Sequence, residues 1–390
     1  MSKKLKMIGF DAKRIVRNGT GLGSYGRTLV NALAVAVPDT QLLLYAPDEG
    51  DSRLRSQVEP RPNVRFVHPS GVLGHVPLLS RLWRDHWRTK GMVKDLQHDG
   101  VALFHGLSGE LPIGLSKTGI HGVVTIHDLI FLRHPEYYKP VDVFIYKRKF
   151  HASLREADRV VAISECTKRD ILAFSDYPSD RISVVYQSCG TRFRVKTDGR
   201  QREDVRARYG LPARYVLSVG TIEERKNVLL AVKALTCDAL RDAHLVIVGR
   251  PTAYTRHTVM PFVEQMQLGG RVHVLSGVPN DDLPAIYQMA ECFVYPSRYE
   301  GFGIPVIEAI QSGLPVVAAT GSCLEEAGGP DCLYVSPDDH EALAAAIVRA
   351  TKEAAPRVER SLQYVSRFEN ADTAQRMLDV YAQVADESHP

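Results

Sequence analysis

Two glutamates, Glu300 and Glu308, stand on either side of Gly301-Phe302-Gly303-Ile304-Pro305-Val306-Ile307. Ahead of them, Glu291-Cys292-Phe293-Val294-Tyr295-Pro296-Ser297 is an apolar run of strand length. Pro305 suits the first turn of a helix, where a missing N–H costs nothing. Gly313, followed by Pro315, marks that helix's end. The segment therefore reads as strand, glycine turn and helix start. Amides with no intrahelical partner and the helix dipole make such an end an anion site, and Gly301 and Gly303 let a phosphate come close to the backbone. Glu308 lies one turn beyond Ile304 on the same helical face. A carboxylate beside a phosphate is repulsive unless it binds hydroxyls, which sugars supply. A glutamate reaching a ribose from a nucleotide-binding turn is a known arrangement. The chemistry implied is that of a nucleotide-sugar, with phosphates at the helix end of Gly303 and Ile304, one glutamate on the ribose and the other on the sugar. The plainer alternative is an ordinary βα turn with two surface glutamates.

Other segments could do chemistry of the same kind. Strand-like Tyr215–Gly220 is followed by Thr221-Ile222-Glu223-Glu224-Arg225-Lys226-Asn227. Two adjacent cations ahead of a helix can neutralise a diphosphate leaving group, although a solvated turn would look similar. Near the start, Lys6–Phe10 reads as a first strand, then Asn18–Gly26 as a glycine-rich loop, then a helix with Leu29, Val30, Leu33 and Val37 on one face. A dinucleotide enzyme would want an acidic residue ending its second strand; Gln41–Pro47 has none. His105 and His127 end two apolar strands, Val101–His105 and Gly122–Asp128, and strand carboxyl ends point into the crevice of such sheets. A lone histidine there is more often structural.

The spacing Glu300–Glu308, with seven residues between them, resembles the E-x7-E motif of retaining glycosyltransferases, most of all the family 4 group with the GT-B fold. The resemblance runs over nearly the whole chain. It implies an α/β chain of two Rossmann-like domains facing across a cleft: an N-terminal, acceptor-side domain over 1–195, a nucleotide-sugar domain over 196–369, and a C-terminal helix over 370–390 crossing back. Gly220-x4-Arg225-Lys226-Asn227 looks like the family's phosphate-binding turn. The resemblance also implies amide groups from Gly21, Leu22 and Gly23 toward the donor phosphates, base readout by the backbone at Gly277 and Val278, and contact of His127 with donor sugar or acceptor, its ring positioned by Asp128. Arg133, His134 and Tyr137 would shape the acceptor pocket. The implied activity is a nucleotide-sugar-dependent hexosyltransferase, retaining and metal-independent. The glycine loop and overall pattern look like those of bacterial O-antigen and capsule mannosyltransferases, with GDP-mannose favoured over a UDP-sugar and a glycan or lipid-linked acceptor. A leaving-group-assisted, same-face route is implied; a covalent glycosyl-enzyme stays open. Two other classes compete: a sugar-nucleotide epimerase of the same shape, and a catalytically silent glycan- or nucleotide-binding scaffold.

The elements that must position these residues are those of a two-domain globular chain. Its 390 residues are 44% hydrophobic and 24% charged, with a net charge of only +4, which argues against a nucleic-acid partner. No run is long enough to span a bilayer, and the first ten residues lack a signal-peptide core. Six cysteines without CxxC spacing suit a reduced cytoplasm. No metal-ligand cluster and no Asp-x-Asp triplet occurs, so neither a cofactor nor a metal is expected. Residues 78–96 read as a basic, tryptophan-bearing amphipathic helix. It suits either packing on a sheet or a peripheral contact at the inner face of a membrane. Residues 141–157 read as a helix, 190–206 as a linker, and the oligomeric state stays open.

Overall fold

The computed structural model describes residues 5–69 and 83–386. The strands grow from short apolar runs that alternate with helices, the pattern of sheets buried on both faces. The first seven strands are β1 (Met7–Asp11), β2 (Gln41–Tyr45), β3 (Val64–Val67), β4 (Leu103–Gly106), β5 (His121–Ile126), β6 (Arg159–Ala162) and β7 (Ile182–Val184). They form one sheet in the order β3-β2-β1-β4-β5-β6-β7, every pair parallel. The remaining six are β8 (Val216–Val219), β9 (Leu245–Val248), β10 (Val272–Leu275), β11 (Cys292–Tyr295), β12 (Val316–Ala319) and β13 (Leu333–Val335). They form a second all-parallel sheet, ordered β10-β9-β8-β11-β12-β13. In both sheets the strand order reverses between the first strand and the fourth. Ligands of open α/β sheets bind at that reversal, outside the strands' carboxyl ends.

The chain divides into two compact units, one of the described residues through Ser188 together with those from Phe368 on, the other Cys189–Arg367. The first sheet is covered on one face by Ile8, Phe10, Leu29, Leu33, Leu42 and Leu44, and on the other by Leu43, Tyr45, Trp87, Leu96, Phe104 and Val124. The C-terminal helix Asn370–Asp386 belongs to this unit, where Met377, Val380 and Tyr381 are buried with β1 and the helix Gly21–Ala36. A buried polar chain ties it in: His105 Nδ1 lies 2.7 Å from the Tyr381 hydroxyl, and Nε2 lies 2.8 Å from the Thr125 hydroxyl.

Several sequence readings change. The stretch 190–206 is not an open linker. Asp198 caps a helix over Gly199–Tyr209 by accepting from Gln201 N–H at 2.7 Å, and Gly210 ends it with φ +58°. Both signals are in the sequence. The chain passes between units at 188/189, ahead of the 195/196 boundary, because Phe193 packs its ring on Tyr287 and Thr197 hydrogen-bonds Gln288. The edge strand β3 was not anticipated; none of its four residues is buried, and Arg65 is exposed. Of the basic helix expected over 78–96, residues 78–82 lie outside the described residues. Over 83–96, Trp87, Met92, Val93 and Leu96 are buried against the sheet. Arg88 is buried too, pairing with Asp11 at 2.6 Å and Glu110 at 2.7 Å. The apolar face of this part is used by the fold, so the packing alternative holds for it, and no apolar face is left there for a membrane.

Candidate active site

The second unit gathers its chemistry where β8 and β11 lie side by side. Gly220 leaves β8 with φ +150°, a conformation open to glycine. A Cβ on the neighbouring Gly249 would lie 1.8 Å from the Gly220 carbonyl oxygen, so both glycines are needed for this crossing. A short turn over Glu224–Lys226 follows, ended by Asn227 at φ +54°, a conformation asparagine tolerates. The Asn227 amide donates to the carbonyls of Pro296, 3.1 Å, and Pro337, 2.8 Å, binding this turn to the loop after β11.

The two loops meet in a charge cluster. Lys226 Nζ donates to Glu300 Oε1 at 2.6 Å and to the Tyr295 hydroxyl at 2.6 Å. Arg225 Nη1 lies 3.0 Å from the same Glu300 oxygen and donates to the Tyr299 carbonyl at 2.6 Å. Ser297 Oγ adds a further donor to Oε1 at 2.6 Å. Burial alone would lower the Lys226 pKa, but the charge of Glu300 outweighs it and holds the ammonium raised. Burial would likewise raise Glu300, yet Lys226 and Arg225 hold its carboxyl below the ordinary range. All three groups are thus charged at neutral pH, and two cations share one carboxylate. Lys226 uses two of its three N–H donors within the protein, and Glu300 Oε2 has no hydrogen bond among the described residues. Sequence reasoning named Arg225, Lys226 and Glu300 but missed Tyr295 and Ser297. Their proximity to the motif was the signal available.

Glu308 sits apart from this cluster, on the helix Ile304–Gln311. The Tyr287 hydroxyl donates to its Oε2 at 3.1 Å. Burial pushes its carboxyl up to about 7, opposed by Arg192 and by the Tyr287 hydrogen bond. Gly303 caps this helix because a Cβ there would lie 2.7 Å from Ala327 Cβ. Pro305 has no N–H, and the amides of Val306 and Ile307 both donate to the Gly303 carbonyl. The amides of Gly303 and Ile304 carry no hydrogen bond among the described residues, leaving two donors at the helix end. Gly277 follows the edge strand β10 with φ +70°, and it is exposed while Val278 is half-buried.

In the first unit the glycine segment is not a loop. Helix Gly21–Ala36 begins at Gly21 itself, capped by Thr20, whose carbonyl accepts from Gly23 and Ser24. Gly23 is required because a Cβ would lie 1.9 Å from the Asn18 carbonyl oxygen. That leaves the Gly21 and Leu22 amides, not Gly23's, as helix-end donors.

His127 follows β5 directly, but both of its ring nitrogens are used internally. Nε2 lies 2.8 Å from the Leu107 carbonyl, and Gln187 Nε2 lies 2.8 Å from Nδ1. A carbonyl can only accept, so His127 carries its proton on Nε2 and takes a hydrogen bond from Gln187 on Nδ1. Burial lowers its pKa to about 4, so it is neutral. Asp128 instead accepts from the Ile130 amide at 3.2 Å, and the expected Asp128–His127 positioning is replaced by Gln187. Beside His127 lies a cavity of about 220 Å³ lined by Arg14, Leu22, Phe131, Tyr138, Tyr146 and Lys149 among others. Arg133, His134 and Tyr137 do not line it. Arg133 is turned to Asp170 at 2.6 Å and His134 to Glu136 at 2.9 Å.

Comparison with known proteins shows the family. The family model described as Glycosyl transferases group 1 matches residues 201–388, and that described as Glycosyltransferase Family 4 matches residues 19–189. The chain is 30% identical over 343 residues to O-antigen chain mannosyltransferase B of Escherichia coli, covering 86% of this chain and 87% of that one. It is 30% identical over 364 residues to an O-antigen chain mannosyltransferase of Salmonella typhimurium, covering 91% and 94%. Among solved structures, a sucrose-phosphate synthase from Thermosynechococcus elongatus aligns with TM-score 0.76 at 22% identity, over 98% of this chain and 100% of that one. A glycosyltransferase of lipopolysaccharide biosynthesis aligns with TM-score 0.67 at 16% identity, over 98% and 100%. The chain belongs to the group 1, family 4 glycosyltransferases, hexosyltransferases of the GT-B fold.

Proposed function

We propose that the chain moves mannose from GDP-mannose, or failing that a hexose from a UDP-sugar, to a hydroxyl of a lipid-linked glycan in surface polysaccharide synthesis, with retention at the anomeric carbon. It would work in the cytoplasm, peripherally at the inner face of the membrane. One observation carries the reading: Arg225 and Lys226 share a single oxygen of Glu300 at the strand-order reversal of the second sheet. Arg225 also pairs with Glu223 at 2.8 Å, but both cations stand at one site and Lys226 keeps an unused donor, which suits a diphosphate whose charge grows as it leaves. The amides of Gly303 and Ile304 add two neutral donors. Glu308 accepts from the ribose hydroxyls, and Glu300 Oε2 accepts from a hydroxyl of the sugar. Backbone groups at Gly277 and Val278 read the base. The mannose preference rests on the O-antigen relatives.

In the step itself the bond from the anomeric carbon to the β-phosphate oxygen breaks as the acceptor oxygen bonds from the same face. The acceptor's proton passes to the departing phosphate oxygen, so no protein base is called for. This agrees with a His127 that is neutral and occupied at both nitrogens. His127 serves here to frame the acceptor cavity rather than to carry a proton. The test is a panel of GDP-mannose, UDP-glucose, UDP-GlcNAc, UDP-galactose and dTDP-rhamnose, following nucleoside diphosphate release with and without EDTA. Release from GDP-mannose alone, unaffected by EDTA, is expected. Conversion of a sugar nucleotide without diphosphate release overturns the reading in favour of an epimerase.

A further inference from the structure

The helix Pro140–Glu156 is apolar on two sides. Phe150 and Leu154 face inward, 3% and 8% exposed. At 100° per residue, Phe144, Val141 and Ile145 fall within an arc of about 100° on the opposite face. There Val141 and Phe144 are each 59% exposed and Ile145 is 42% exposed. A soluble helix places polar residues on that face. Large exposed apolar side chains are few among the described residues, and they concentrate in this one turn and a half. The surrounding charge is one-sided. Lys139, Lys147, Arg148 and Lys149 stand against Asp142, a net +3 in a chain whose whole net charge is +4. Lys149 is paired with Glu110 at 3.2 Å. Lys139, Lys147 and Arg148 form no ion pair among the described residues, and the Arg148 guanidinium lies over the Phe144 ring at 5.6 Å.

We infer that this face docks the protein onto an anionic phospholipid bilayer. Val141, Phe144 and Ile145 enter the headgroup boundary while Lys139, Lys147 and Arg148 meet the lipid phosphates. Charge decides between occupants: a second copy of the chain would set like charges against like across a two-fold interface, whereas an anionic surface complements them. The docked face adjoins the acceptor cavity on the same helix. Tyr146 lines that cavity, and its ring packs edge-on against Phe131 at 5.6 Å and Tyr138 at 6.4 Å. Docking would therefore hold the cavity at the lipid surface where a lipid-linked glycan is presented, a consequence that rests on the transferase reading above.

The experiment is co-sedimentation of the full chain with sucrose-loaded vesicles of phosphatidylcholine alone or with 30% phosphatidylglycerol. Parallel samples carry Phe144→Ser with Ile145→Ser, or Lys147→Glu with Arg148→Glu. All four positions are exposed, and circular dichroism checks the fold of each variant. Binding to the anionic vesicles is expected, weakened at least tenfold by either pair, with donor turnover on a soluble acceptor unchanged. Equal binding by the variants, or no binding by the parent, overturns the docking. So does a concentration-dependent dimer that the same substitutions abolish in the absence of vesicle binding. Docking with no turnover of any donor would leave this inference standing and sink the transferase reading instead.

Discussion

Donor affinity should rise about tenfold between pH 6 and pH 8, and Glu308 should be the cause. Its carboxyl is pushed up to about 7 by burial, with Arg192 and Tyr287 opposing. A ribose donates two hydroxyl hydrogens, and only the ionised carboxylate can accept both. If only that form binds, about one molecule in eleven is competent at pH 6 and about ten in eleven at pH 8. The ratio is about tenfold, or about 1.4 kcal/mol. Burial holds the Tyr287 hydroxyl and the Cys189 thiol, which face Glu308, well above this window. The diphosphate of a sugar nucleotide has no ionisation there either. Calorimetry with an unhydrolysed donor at pH 6, 7 and 8, in buffers of different ionisation enthalpy, reads both the slope and the proton released below pH 7. Glu308→Gln should bind weakly and without slope. A flat profile in the parent, or an equal slope in the variant, refutes the assignment of Glu308 to the ribose.

Four further outcomes follow from the same geometry. Because the folded pKa of Glu308 lies above that of an unfolded carboxyl, folding stability should fall as pH rises from about 4.5 to about 7 and then level off. Thermal melts should show Glu308→Gln relieved of that loss, by up to about 3 kcal/mol at pH 8. Lys226→Ala leaves Glu300 paired with Arg225 and Ser297, so the fold should hold while donor turnover falls about 10²–10³-fold. Glu300→Gln instead leaves the buried Lys226 without a carboxylate partner and Arg225 with Glu223 alone, and chemical denaturation should show a loss of about 3–5 kcal/mol. Gly303→Ala drives a Cβ to 2.7 Å from Ala327 Cβ and should weaken donor binding at least tenfold; adding Ala327→Gly should restore most of it.

Some of the site was legible because its determinants are local. The strand, glycine turn and helix of 291–311 announce themselves through Gly303, Pro305 and Gly313 within one stretch of chain. The helix Gly21–Ala36 was half-legible. Its apolar face was read correctly, but its start was taken for a loop because four glycines within Asn18–Gly26 look like a turn. Gly23 is glycine for a contact with Asn18, five residues back, and not for flexibility. The partners of His127 and Arg133 were not legible because Gln187 and Asp170 lie 60 and 37 residues away.

By itself the sequence determined the alternation of strands and helices, the two glutamates with seven residues between them and the adjacent cations Arg225 and Lys226. Each of these depends on backbone preference, hydrophobic period or chemical type, which act over a few residues. Only the tertiary structure decided that Lys226 meets Glu300 across 74 residues of chain, through the parallel pairing of β8 with β11. It also decided the electrostatics. The burial that raises Glu308, holds His127 neutral and leaves Phe144 bare depends on which surfaces the other elements cover, and no local pattern encodes that.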